Sequence, residues 1–146
     1  MILKIHFSYC KKIDLNFKHL SEIIKKVIER ENFKFGKIEI IITSEEVLTK
    51  LNKDFLNKND LTDIITFTNT KKDKVSGELY ISLERVISNS KKFSGDNIKQ
   101  ELYRVIIHGI LHLVGYNDLK VQERAHMSNL EDYYLNELNL QIAKER

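Results

Sequence analysis

The stretch from Ile98 to Val114 constrains the fold more than any other, because Val105, Ile106, Ile110, Leu111, Leu113 and Val114 cover too much of a helix for one face to stay in water. Such a helix has to sit inside a core with other elements packed around it. Two histidines, His108 and His112, interrupt the apolar run. They are one helical turn apart on the same face, so their imidazoles can converge on a cation without long-range help. Gly115 is the residue type that best tolerates the left-handed conformation closing a helix, and the chain can then double back so that Asp118 reaches the same ion. Two imidazoles and a carboxylate leave the fourth tetrahedral position of a zinc ion open, as a catalytic site needs. The alternative is an amphipathic helix that happens to carry two histidines. Neutral imidazoles among Ile, Leu and Val would then need hydrogen-bond partners of their own.

With 146 residues the chain is long enough for one domain and too short for two ordinary ones, so residues 1–146 are read as a single domain. Its apolar stretches break off before membrane-spanning length, and Met1-Ile2-Leu3-Lys4-Ile5-His6 lacks a signal-peptide pattern. A soluble, cytoplasmic protein with no membrane partner is expected. The single cysteine, Cys10, rules out an internal disulfide and a Cys-rich zinc site, and is read as a buried strand-end residue. The net charge of +3 is compatible with a nucleic-acid partner but falls short of a dedicated binder's basic footprint. Abundant Lys, Asn and Ile without Pro or Trp also fit an A/T-biased genome, so lysine pairs such as Lys71-Lys72 are read as solvated surface.

No repeat, Pro-rich linker or low-complexity tract divides the chain. Met1 to Tyr9 alternates as a strand does, and Phe17 to Arg30 carries Leu20, Ile23, Ile24, Val27 and Ile28 at helical spacing. After Gly36, Lys37 to Thr43 reads as a strand, and Thr43-Ser44-Glu45-Glu46 fits a capping box opening a helix through Val47, Leu48, Leu51 and Phe55. Thr62 to Thr68 and Gly77 to Ser82 look like paired strands around the polar turn Lys71 to Ser76. A short helix over Leu83 to Ser90, the long helix Ile98 to Val114 and a last helix over Gln122 to Leu138 complete the chain. The expected fold is a single α/β domain: about four strands in a mixed sheet, about five helices, and the histidine helix central.

These residues, taken in order, resemble the YbeY family of bacterial rRNA maturation factors. The likeness is carried by His108 to Asp118, Thr62-Asp63-Ile64-Ile65-Thr66-Phe67, the strand Gly77 to Ile81, and Met127 with Glu131 downstream. The family pattern His-Gly-x-Leu-His-Leu-x-Gly-Tyr-Asp-His is followed from His108 through Tyr116. The resemblance implies a single-domain, cytoplasmic endoribonuclease holding one Zn²⁺ per chain. It would act on single-stranded rRNA, with the small ribosomal subunit or its proteins as partners, in rRNA maturation and ribosome quality control. Hydrolysis of an RNA phosphodiester is the chemistry, with His108, His112 and Asp118 as metal ligands and Lys58 and Arg104 as candidates to offset charge on the phosphate.

Two positions depart from the family pattern. Asn117-Asp118 stands where the pattern ends Asp-His, so the third ligand is a carboxylate, which makes the ion a weaker Lewis acid. Leu56 stands where many members carry an arginine, leaving Lys58 as the matching basic position, a point charge without the bidentate fork. Two other functions compete. The offsets of His108, His112, Gly115 and Asp118 also fit a zinc peptidase, with Met127 open to mistake for its Met-turn, but Gly109 occupies the place of that mechanism's general-base Glu. A non-catalytic ribosome assembly factor with a structural zinc is the other. For the remaining candidates the surface readings lead: His126 as an exposed histidine before a substitute ligand, Glu131 and Asp132 as solvated helix residues, although Glu131 could also hydrogen-bond a ligating histidine. Arg104 is read first as a surface or ion-pair residue, Asp63 as a turn residue or a brace for the site, and His6 and His19 show no partner in sequence.

Overall fold

A computed structural model describes residues 1–57 and 62–145. Among them are four strands and five helices: β1 (Ile2–Phe7), α1 (Phe17–Arg30), β2 (Lys34–Thr43), α2 (Glu45–Leu56), β3 (Ile64–Thr68), β4 (Lys74–Ser82), α3 (Leu83–Phe93), α4 (Ile98–Leu113) and α5 (Val121–Lys144). The strands form one mixed sheet in the order β1-β2-β4-β3. β1 and β4 both run parallel to β2, and β3 returns antiparallel to β4. This is the expected fold class.

Four of the five helix starts follow short polar side chains that accept from orphan backbone N–H groups. Asn16, Ser44, Ser82 and Asn97 accept from the N–H of His19, Val47, Arg85 and Gln100 respectively. The cap of α2 is therefore Ser44 and not Thr43, which remains in β2 and is fully buried. Gly36 lies within β2 instead of preceding it, at a shift in register between Phe35 and Ile38. A Cβ there would collide with the Ser76 hydroxyl and lie 2.9 Å from the Val75 carbonyl, so only glycine lets β2 and β4 approach at that point.

One sheet face carries Ile38, Ile40, Ile42, Val75, Leu79 and Ile81, all fully buried; α1 and α4 close over it, and α5 packs on those two helices. α2 covers part of the opposite face, where Phe55 meets Phe67 edge-on with ring centroids 6.2 Å apart. α4 is central, as its sequence demanded: Leu102, Ile106, Ile107 and Ile110 are sealed from solvent, and it packs against α1, α3, α5, β3 and β4. At Gly109 α4 packs tightly on the sheet, because a Cβ there would lie 2.7 Å from Ile64 Cδ1 and 2.8 Å from Leu79 Cδ1. Cys10 lies beyond β1 and is only partly buried, with its Sγ 3.4 Å from the Ile42 carbonyl. Among the described residues no helix is long and apolar enough to cross a membrane.

Candidate metal centre

α4 delivers both imidazoles from its last two turns, and the way the helix ends decides how they point. Gly115, at φ +106°, lets its N–H reach the His112 carbonyl at 3.0 Å while the Tyr116 N–H reaches the Leu111 carbonyl at 3.0 Å. This double bond pattern closes the helix and folds the chain back. The turn sets the Tyr116 carbonyl 3.0 Å from His112 Nδ1 and returns Asp118 over the helix end. Asp118 Oδ2 lies 3.4 Å from Nε2 of His108 and 3.4 Å from Nε2 of His112. The two Nε2 atoms are 3.0 Å apart. All three side chains are partly buried, and their ligand atoms lie within 4.8 Å of one another.

The outer partners define the tautomers. A carbonyl can only accept, so His112 carries its ring proton on Nδ1. Glu131, from α5, does the same for His108, with Oε2 2.7 Å from Nδ1. Both Nε2 lone pairs then face each other and a carboxylate. Such an arrangement needs a positive charge at its centre, and without a cation a proton has to supply it. Burial works against charging His108, but the Glu131 hydrogen bond, with the charges of Glu131, Asp118 and Asp63, outweighs it and raises the pKa. Imidazole nitrogen and carboxylate oxygen are donors suited to a divalent transition metal, and each imidazole has the outer acceptor that metal-binding histidines use. The residues present fit a metal ion.

Glu131 corrects the expectation of a solvated helix residue: it is 8% exposed and aimed inward. A signal for this exists in the sequence, because Met127, Glu131, Tyr134 and Leu138 form one helical stripe on α5 and the other three are buried apolar residues. Arg104, one turn before His108, directs Nη1 to Asp132 Oδ1 at 2.7 Å and to Glu131 Oε1 at 3.6 Å. Lys58 lies outside the described residues. His126 is exposed and stands apart from the ligand group, its ring 5.6 Å from that of Tyr116. Met127 is a core residue, 1% exposed.

Other polar residues acquire partners across the chain. Asp63 accepts from Asn89 at 3.4 Å, and its carbonyl accepts from the Ser82 N–H. His6 pairs with Glu39, and the buried His19 lies 3.2 Å from Glu22 and 2.6 Å from Glu145. The Tyr116 hydroxyl donates to Glu31 at 2.5 Å, a link from the metal-side turn to the end of α1 for which sequence offered no signal. Hydrogen bonding to Glu31, then burial, pushes the Tyr116 pKa up to about 12.

The model of a family described as Endoribonuclease YbeY matches residues 6–139. The chain belongs to that family. A YbeY endoribonuclease from Chlorobaculum tepidum is 43% identical over 116 residues, covering 80% of this chain and 84% of the relative. One from Karelsulcia muelleri is 39% identical over 132 residues, covering 90% and 93% respectively. The solution structure of TM1509 from Thermotoga maritima superposes with a TM-score of 0.65 at 26% identity, over 99% of this chain and 93% of that one. The peptidase alternative also fails on space. Position 109 faces the sheet, so a glutamate there would meet Ile64 and Leu79 instead of the imidazoles.

Proposed function

We propose that this YbeY-family chain is a cytoplasmic endoribonuclease that cuts single-stranded rRNA through one zinc ion held by His108, His112 and Asp118. The observation that carries this reading is the convergence of two outward-braced imidazole nitrogens and a carboxylate at the end of a buried, rigid helix. Zinc bound there would lower the pKa of a coordinated water and polarise a phosphoryl oxygen.

The protein's own residues do the rest. Glu131 and the Tyr116 carbonyl hold the imidazole tautomers that leave both Nε2 atoms free to bind. Arg104 pairs with Glu131 and adds positive charge one turn from His108, where it helps offset the phosphate. Lys58 is assigned to phosphate contact on its match to the family's basic position. The small ribosomal subunit is the proposed partner, in rRNA maturation and quality control.

The test is cleavage of a single-stranded fragment of small-subunit rRNA by the zinc-loaded protein, beside His112→Ala and with casein as a second substrate. Cleavage by the parent, loss in His112→Ala and intact casein are the expected results. Unchanged cleavage by His112→Ala would remove the metal centre from the mechanism. Ribosome binding without cleavage by either protein would favour the assembly factor.

A further inference from the structure

We infer that the open edge of β3 beside His112 is a binding subsite for an RNA phosphodiester, with the Thr66 N–H and Thr66 hydroxyl donating to its non-bridging oxygens. The inference deepens the proposed ribonuclease reading and rests on it.

Among the described residues β3 is an edge strand, paired only with β4. In an antiparallel pair, alternate residues exchange both backbone bonds and the ones between turn theirs outward. The Ser82 N–H donates to the Asp63 carbonyl at 2.9 Å, and the Asn69 N–H donates to the Ser76 carbonyl at 2.8 Å. Both pairs share the register of Ile65↔Tyr80 and Phe67↔Glu78. Asp63, Ile65, Phe67 and Asn69 therefore face β4, while Ile64, Thr66 and Thr68 point their N–H and carbonyl groups away from the sheet.

One of those three outward backbone positions is already engaged, and at a second the side-chain hydroxyl is. The Thr62 hydroxyl caps Ile64, lying 3.0 Å from its carbonyl oxygen and 3.4 Å from its nitrogen. The Thr68 hydroxyl accepts from the Thr70 N–H at 3.3 Å and donates to the Thr70 hydroxyl at 3.1 Å. Among the described residues, Thr66 keeps an outward N–H and a hydroxyl with no partner. Its side chain shares the sheet face of Ile64, the face on which α4 lies. Thr66 and Thr68 line, with His112 and Leu113, an open cavity of about 300 Å³.

A phosphodiester offers two anionic oxygens that only accept, and one residue presenting two donors beside a metal ligand matches that chemistry. A peptide strand would instead need a run of alternating donors and acceptors along the edge. The Thr62 cap on Ile64 shortens that run to Thr66 and Thr68. The short free edge therefore favours RNA.

Binding of a fluorescent single-stranded oligoribonucleotide is measured by anisotropy with the protein held in chelator, so that nothing is cut, and KM and kcat are measured separately on the zinc-loaded protein. Thr66→Val removes the hydroxyl at nearly constant shape and should raise Kd and KM about tenfold, the worth of one hydrogen bond to a charged group, with kcat little changed. Thr66→Ser should restore binding. Thr66→Pro deletes an outward N–H that takes no part in the ladder, so it should fold and bind more weakly still, whereas Ile65→Pro breaks the ladder and should not fold. Parent-like RNA binding by Thr66→Val would overturn the subsite, as would a peptide that displaces RNA and is itself weakened by Thr66→Val. Zinc content of His112→Ala tests the metal centre independently: retained zinc there sinks that reading while leaving the Thr66 result to be judged on binding.

Discussion

Replacing Glu131 should weaken metal binding without touching a metal ligand. Its carboxylate is buried and lies 2.7 Å from His108 Nδ1, in the range of a charge-assisted hydrogen bond. Loss of such an outer partner costs about 10–100-fold in metal affinity, or about 1.4–2.7 kcal/mol. Glu131→Gln keeps an acceptor oxygen and loses the charge, so it belongs near the tenfold end. Glu131→Ala also strands the Nδ1–H of a partly buried imidazole and should approach a hundredfold. An opposing effect has to be kept out of the measurement. Glu131 raises the His108 pKa, so its removal lets His108 lose its proton at lower pH and relieves competition between proton and metal. At pH 8 His108 competes least for a proton, and the loss of the partner dominates. Zinc titration against a chromophoric chelator at that pH gives the number. A Glu131→Ala protein that binds zinc within twofold of the parent would refute the idea that α5 tunes the site.

Asp118→Ala should lose zinc more readily in the same competition, whereas Asp118→His should retain or tighten it, because imidazole is a stronger zinc donor than a single carboxylate oxygen; equal retention by all three proteins would remove Asp118 from the ligand set. Gly109→Ala gains about 1 kcal/mol of helix propensity but drives a methyl group into Ile64 and Leu79, an overpacking cost of about 1–3 kcal/mol, so thermal unfolding should show a net loss of up to about 2 kcal/mol. Glu101 is buried and its pKa is raised by burial, partly countered by the hydrogen bond from Ser94, so the folded state holds that proton to higher pH than the unfolded chain. Its contribution to stability is full below the ordinary carboxyl pKa and is lost as pH rises through the raised one; Glu101→Gln should flatten that slope in denaturant titrations run across this window, and an unchanged slope would show the carboxyl is not responsible.

Much of this architecture was legible because it is local. His108 and His112 share a helix face by spacing alone, Gly115 at φ +106° closes that helix as its lack of a side chain allows, and Asn16, Ser82 and Asn97 begin helices where short acceptors precede apolar runs. The breadth of apolar surface on α4 likewise required a central position, since no single contact could cover it. What lay beyond reach depends on which surfaces meet. In sequence Glu131 reads as a solvated helix residue; although helical period sets it on the stripe of Met127, Tyr134 and Leu138, only the packing of α5 on α4 brings it to His108 across 23 residues of chain, and only the same packing hands Arg104 to Glu131 and Asp132. Strand pattern marked Thr62 to Thr68 as extended without saying that β3 would be an edge, or that Thr66 would turn its N–H away from the sheet, because that phase is fixed by the partner β4. The link from Tyr116 to Glu31 joins segments 85 residues apart. Sequence spacing sets angles within one helix or strand; the distance between two elements is set by the packing of their apolar faces, and the Glu131 brace of this site is made across such a distance.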